Sequence, residues 1–396
     1  MPDVVLRAVV LLVAMSAAAA NAMPTDPPLQ AAARDLVGDG QGVYVEAADG
    51  TILATQAADR PVHPASVTKV VSSLALLERL GPEHRFETRI SAAGDVRDGR
   101  VLGDLVIDAA GDPTLVYENV FLLLAKVRSL GVHGVAGGLA VRGPLLFNWK
   151  PDPKGERLQR ALAGRDGSGA WAAVRGRVPS RASLREAGLV FEGGDGGTGT
   201  GLQALAINQS PPLVRILKWL NDYSNNVFHL LSDRIGGPAA VQETARAHII
   251  PEAQAEVVID NAAGAGETNR MSPRVAVAIL QALERELARH GLSLTDALPV
   301  SGIDHGTLEA RVLDHRAMVV GKTGTFGDVG ASALVGVVHT RRWGPVTFAI
   351  LNSWIPVPEA RRRQDAFVRA LLDAGGGLPW PYRRGTDTPF VDARLD

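Results

Sequence analysis

The sequence predicts an α/β (α+β) protein in which helices flank an antiparallel sheet and a smaller, mostly β domain is inserted. Three observations predict it. MVVGKTGTF, SALVGVVHT and VTFAILNSW are strand-like runs joined by Gly-rich or Arg-rich turns, and PEARRRQDAFVRALLDAG follows as a helix that should pack on them. HPASVTKVVSSLALLERLG carries Val70, Leu74, Leu77 and Leu80 at helical spacing, and RVAVAILQALERELARHG is amphipathic with the same period. Between the first helix and residue 208, positions 87 to 207 change to short β-like runs separated by turns.

The elements follow in chain order. Arg7 precedes the uncharged run AVVLLVAMSAAAA, which leads to Ala20-Asn21-Ala22, a small-x-small pattern; residues 1–22 read as a signal peptide cleaved near Ala22. The run is too short to cross a bilayer, so the mature chain is expected to be exported, periplasmic or extracellular, without a transmembrane helix. GVYVEAADGTILATQ places two alternating runs around Asp49-Gly50, a β-hairpin. The helix after HPAS stops at Gly81-Pro82. In 87–207, TRISAAGDV, GDLVIDAAG, GGLAVRG and GLVFEGG read as strands and FLLLAKVRSLG as a helix. GGDGGTGTG (193 to 201) lacks a following Lys-Ser/Thr and reads as a connector rather than a phosphate loop. PPLVRILKWLNDYSNNVFHLLSDRIG suggests two helices meeting near Tyr223-Ser224. The Arg cluster of PEARRRQDAF reads as a solvated face, and the Pro- and Gly-rich tail as irregular.

Composition excludes several function classes. With 46% hydrophobic and 21% charged residues, a packed core is expected over the 396 residues. The net charge of -1 argues against nucleic acid or anionic lipid as the main partner. Nine histidines without His-x-His or His-x-x-x-His pairs, and no cysteine, argue against a metal site. An exported chain without cysteine must take its stability from core packing.

Lysine is scarce: Lys69, Lys126, Lys150, Lys154, Lys218 and Lys322 are all there are among 41 Lys+Arg. Lys69 lies three residues after Ser66, on one face of a helix, where its amine can reach the hydroxyl. A serine is a poor nucleophile until a base takes its proton, and a lysine is such a base only when burial or nearby positive charge lowers its pKa. The helix N-terminus also favours developing negative charge at Ser66. Ser224 and Asn226 form a Ser-x-Asn element, able to relay a proton and to orient a lysine or a substrate carbonyl. Lys322, Thr323, Gly324 and Thr325 sit at a strand end, where they offer a cation, hydroxyl donors and a glycine that admits a close backbone.

Each motif alone is weak; the order Ser-x-x-Lys, Ser-x-Asn, Lys-Thr-Gly is the set of penicillin-binding proteins and β-lactamases. The chain resembles a low-molecular-mass class C penicillin-binding protein of the DacB-like D-Ala-D-Ala carboxypeptidase/endopeptidase family (peptidase S13-type). GDLVIDAAGDPTL, ALAINQSPPLVRILKWLNDYSNNVFHLL, LPVSGIDHGTLEARV and GKTGTFGDVGASALVGVV are similar to further blocks of that family. Ser66 and Ser224 lie 158 positions apart, as in a family whose extra domains are inserted between these motifs. The resemblance implies a transpeptidase-like catalytic domain from 23–86 and 208–396, with a reduced inserted domain at 87–207. It implies that Ser66 attacks the penultimate D-Ala carbonyl and Lys69 takes the proton. Ser224 passes a proton to the leaving nitrogen, and Asn226 holds Lys69 and the substrate amide. Ser66 and Thr325 N–H groups form the oxyanion hole, and Lys322, Thr323 and Thr325 bind the terminal carboxylate across Gly324. Peptidoglycan stem peptides and β-lactams are the implied ligands, with no cofactor.

Two departures bear on substrate choice. DNAAGAGETNRMSP replaces the family's Asp-Gly-Ser-Gly-Leu-Ser-Arg block and puts Glu267 where the arginine belongs, a reversed charge that would repel a side-chain carboxylate. The 148–178 stretch lacks the family's Trp-rich, acidic segment, and Asp112 of GDPTL reads as a turn residue. Two other readings share this machinery: a β-lactam or ester hydrolase, for which no Glu-x-x-x-Asn element occurs between 226 and 322, and a non-catalytic cell-wall or penicillin-binding module.

Overall fold

A computed structural model describes residues 26–174, 176, 183–194, 201–327, 330–385 and 394–395. The signal-peptide reading at 1–22 lies outside the described residues, as do positions 195–200 of the glycine-rich connector. The chain divides into two compact units, one of residues up to Gly81 with Leu217–Gly385, the other of Pro82–Ile216 with Thr386–Asp396. The sequence-based domain boundaries were 87 and 207.

In the first unit, β1 (Gly42–Ala47) and β2 (Ile52–Gln56) form the hairpin. Its turn is closed by Gly50 N–H donating to the Ala47 carbonyl and by Asp49 Oδ1 accepting from Thr51 N–H at 2.9 Å. The motif-bearing run is β3 (Val319–Phe326), followed by β4 (Ala331–Thr340) and β5 (Gly344–Asn352). The sheet order is β3-β4-β5-β1-β2, every neighbour antiparallel, so β3 is an edge strand. The register sets Thr325 opposite Ser332 and Ser332 opposite Asn352, a row across one end of the sheet.

Both faces are covered, which is why β4 and β5 read as nearly continuous apolar runs. On one face lies α4 (Val357–Gly375), whose Phe367, Val368, Leu371 and Leu372 pack with Leu334, Val338, Val346, Phe348 and Ile350. On the other lie α1 (Thr68–Leu80) and α3 (Pro273–Arg289), in contact with each other. Between these in sequence, α2 (Leu213–Asp222) leads to the Ser-x-Asn turn. The α3 start has Ser272 as N-cap, its hydroxyl accepting from Val275 N–H, and Pro273 at the first position, where its missing N–H costs nothing.

The second unit has a five-stranded sheet in the order Arg394–Leu395, Leu202–Gln209, Glu87–Ala93, Leu105–Ala109, Leu139–Arg142; only the last pair is parallel. It holds more helix than the sequence reading gave it. Beside Tyr117–Ser129 stand Glu156–Leu162, Ser168–Val174 and Leu184–Ala187, which bury Leu158, Leu162, Trp171 and Leu184 against Phe121 and the sheet. These three additional helices escape the sequence reading for a simple reason. Helices of four to seven residues do not repeat an apolar position often enough to show a period. The tail is not wholly irregular either, since Gly377–Leu378 pairs with the end of β4.

Candidate active site

Ser66 occupies a single 3-10 turn, Ala65–Val67, that runs directly into α1. Ala65, just before it, is forced to φ 48°, a left-handed conformation that a non-glycine residue adopts only when its surroundings hold it there. The holding contacts are visible. His63 Nδ1 accepts from Ala65 N–H at 3.1 Å, and the His63 ring stacks on Phe326 at 4.3 Å between centroids. From the other side, a Cβ on Gly324 would lie 2.5 Å from the Pro64 carbonyl oxygen and 3.2 Å from Ser66 N. Only glycine lets β3 run this close past the serine.

One turn on from Ser66, at the start of α1, Lys69 is fully buried. Its Nζ lies 2.9 Å from Ser66 Oγ, 3.2 Å from Asn226 Oδ1 and 2.5 Å from the Ala263 carbonyl oxygen. Burial lowers its pKa to about 7. The neutral amine has two N–H donors and one lone pair. Asn226 Oδ1 and the Ala263 carbonyl are acceptors only, so they take both donors, and the lone pair is left for the Ser66 hydroxyl.

Ser224 sits at φ 53° in the turn after α2, and Lys322 Nζ on β3 lies 3.0 Å from its hydroxyl and 2.8 Å from the Thr323 carbonyl oxygen. Lys322 is also fully buried, and its pKa is driven well down by burial and by the nearby Lys69, against the pull of Asp222. Strand alternation puts Lys322 and Gly324 on the serine side of β3 and Thr323 and Thr325 on the other. Hydrogen bonds thus join Ser66, Lys69 and Asn226 in one group and Ser224 and Lys322 in another, and Lys322 lies within the electrostatic reach of Lys69, with Thr323–Thr325 following it on the same strand. No cluster of metal-ligating side chains occurs among the described residues.

Several neighbours escaped the sequence reading. Lys218, another of the six lysines, is buried on α2 and bonds Asp304 Oδ2 at 2.5 Å and the Leu298 carbonyl at 2.6 Å. Asp304 also accepts from Val300 N–H and from the Tyr382 hydroxyl. Asp222, whose pKa burial raises to about 7, lies 3.3 Å from the same ammonium. Its carbonyl receives Thr307 N–H, and a Cβ on Gly306 would lie 2.1 Å from that carbonyl oxygen. The GIDHGT stretch therefore clamps the turn that presents Ser224, while Asn221 Nδ2 ties α2 to Ser73 on α1 at 3.1 Å. Scarcity of lysine was the available signal for Lys218.

The loop after Asp260 was read only as a departure from a family block, yet its Ala263 carbonyl is the shortest contact of Lys69. A Cβ on Gly264, which sits at φ 76°, would lie 1.9 Å from the Ala65 carbonyl oxygen. Glu267 in this loop is exposed. The arginine cluster is not simply a solvated face: Arg361 donates to Thr325 Oγ1 at 3.1 Å, and Arg363 to the Val37 carbonyl. In the second unit, Asp112 is buried and accepts from Thr114 N–H, Thr114 Oγ1 and Asn208 Nδ2, the contacts of a locked turn.

A family model described as D-Ala-D-Ala carboxypeptidase 3 (S13) matches residues 29–145 and 181–373. The chain belongs to the S13 D-Ala-D-Ala carboxypeptidase family. Among similar proteins, a carboxypeptidase of Mycobacterium tuberculosis is 27% identical over 417 residues, spanning 93% of this chain and 88% of its own length. Carboxypeptidase DacB of Mycolicibacterium smegmatis is 26% identical over 387 residues, 85% of this chain and 81% of its own. Among solved structures, a predatory endopeptidase from Bdellovibrio bacteriovorus, acylated by penicillin G and bound to an immunity protein, superposes with a TM-score of 0.69. It covers 88% of this chain and 96% of that one at 21% identity, a likeness of fold. By family and relatives the protein is a serine-type D-Ala-D-Ala carboxypeptidase.

Removing one member of a buried, hydrogen-bonded ion pair leaves an uncompensated charge. Asp304→Ala is expected to lower unfolding free energy by about 3–5 kcal/mol, read from urea denaturation, with Asp304→Asn less affected. A loss below about 1 kcal/mol would show that Lys218 does not depend on this partner.

Proposed function

We propose that Ser66 forms an acyl-enzyme with the penultimate D-Ala of peptidoglycan stem peptides, with Lys69 as its base. One observation carries the reading: the buried Lys69 amine meets two acceptor-only oxygens and the serine hydroxyl, so its lone pair faces the proton to be removed. Ser66 Oγ adds to the D-Ala carbonyl carbon as its proton moves to Lys69 Nζ. The oxyanion is received by the N–H groups of Ser66 and Thr325, which the glycine at 324 lets approach each other. Ser224, bonded to Lys322, delivers its proton to the departing D-Ala nitrogen as the C–N bond breaks, and the proton held on Lys69 passes to Ser224, which restores both groups. Water then attacks the ester carbonyl as Lys69 takes its proton, and Lys69 returns that proton to Ser66 Oγ as the acyl C–O bond breaks.

Asn226 is exposed while its Oδ1 meets Lys69, which suits it to fix the substrate amide and the base together. Penicillin, whose strained amide replaces the D-Ala-D-Ala bond, acylates Ser66 in this reading; the acylated Bdellovibrio relative supports it by analogy of fold. A peptidoglycan substrate requires export, in keeping with a signal peptide cleaved near Ala22. Among the described residues no helix is long and apolar enough to cross a membrane. Glu267 disfavours stem peptides whose third residue carries a free carboxylate.

Fluorescent penicillin is expected to label the wild type and not Ser66→Ala; an unlabelled wild type would remove the acyl-enzyme reading. The acylation rate should follow the neutral fraction of Lys69, whose folded-state pKa lies near 7. It should be flat above that pH and fall about tenfold per pH unit well below it. A rate that stays constant down to pH 5 in stopped-flow acylation would exclude Lys69 as the base. D-Ala release from stem peptides should be faster with lysine or an amidated acid at the third position than with a free diacid, and Glu267→Arg should reverse the order.

A further inference from the structure

A D-Ala-D-Ala terminus ends in a full negative charge, and the strand proposed to receive it supplies little fixed positive charge. Lys322 is fully buried and directs its Nζ to Ser224 Oγ and to the Thr323 carbonyl oxygen. Burial and the neighbouring Lys69 both favour its uncharged amine. Thr323 and Thr325 bring hydroxyls, which are dipoles.

A permanent cation stands at the other end of the motif. Arg361, in the second turn of α4, donates from one terminal nitrogen to Thr325 Oγ1 at 3.1 Å, and both side chains are exposed. Its placement is built. The Arg361 carbonyl accepts from Arg311, which is only 8% exposed and pairs with Asp365 at 2.7 Å. Arg311 also donates to Gln364 Oε1, and the fully buried Gln364 donates in turn to Ser332 Oγ at 3.1 Å and Asn352 Oδ1 at 2.9 Å. Ser332 is the register partner of Thr325. The start of α4 is therefore pegged to the strand ends beside the motif, and that peg fixes where the guanidinium meets the threonine.

We propose that Arg361 is the fixed cation that receives the substrate's terminal carboxylate around the open edge of β3, acting with the exposed Thr325 hydroxyl; this rests on the peptidase reading above. A guanidinium has five N–H donors in a planar fork. One is engaged by Thr325, and the others can take a carboxylate. Thr325, accepting from a cation, is polarised to donate its own O–H to the same carboxylate. Arginine does the work that a buried lysine cannot, because no burial in a protein removes its charge.

The test compares a small D-Ala-D-Ala peptide with the same peptide as its C-terminal carboxamide, in wild type, Arg361→Ala and Arg361→Lys. Arg361→Ala is expected to lower kcat/KM for the free carboxylate by roughly 10- to 100-fold, the size of one charge-assisted contact. The wild-type preference for the free acid over the amide should collapse by the same factor. Arg361→Lys should recover part of it, and the thermal midpoint should match wild type. Equal losses on both peptides, or no loss on either, would overturn the assignment. If wild type cleaves neither peptide, the hydrolase reading fails on its own, and the assignment is read from acylation by benzylpenicillin against its methyl ester. An unchanged acid-to-ester ratio in Arg361→Ala then overturns it, and absence of acylation by either compound in wild type overturns both.

Discussion

The constraint on which the site depends is the desolvation of Lys69. An amine in water is an ammonium with no lone pair to offer. Here Nζ is buried against three protein oxygens, two of which cannot donate. Burial alone would favour the neutral amine; the Ala263 carbonyl and Asn226 Oδ1 decide which way its lone pair points. The base is set by hydrogen-bond valence as much as by dielectric.

That arrangement forces close approaches elsewhere. The Ala263 carbonyl reaches Lys69 only because the following residue is glycine, tight against the Ala65 carbonyl. The Ser66 turn meets β3 only because residue 324 has no side chain. Ala65 is held at a positive φ between these two walls. Strain, glycine and buried charge collect within a few residues of one hydroxyl, where the surrounding core over-determines them.

Around this centre the lysines divide by partner. Lys218 is matched with Asp304 and anchors the turn of Ser224, whereas Lys69 and Lys322 face neutral oxygens and each other's field. An acid beside either would hold it protonated. Asp222 comes nearest, and its carboxyl pairs with Lys218 one turn earlier on α2. Charge that the two inner lysines do not supply is present on Arg361, at the rim, where water meets its cost.

The sequence by itself determined the elements with enough repeats to be counted: α1, α3, α4, the hairpin around Asp49-Gly50 and the three long strands. Their periods follow from which face each one buries. It also determined the family, through Ser66, Lys69, Ser224, Asn226 and Lys322 in order. Short helices at 156–187 escaped because they complete too few turns to show a period. Only the tertiary structure decided the rest. A carbonyl acceptor such as Ala263 has no residue-type signature, since every residue carries one. Asp304 and Arg361 are ordinary surface letters in a string until folding carries Asp304 86 positions back to Lys218 and Arg361 36 positions back to Thr325. Local pattern records what a residue prefers; it holds no record of which distant atom will be there to meet it.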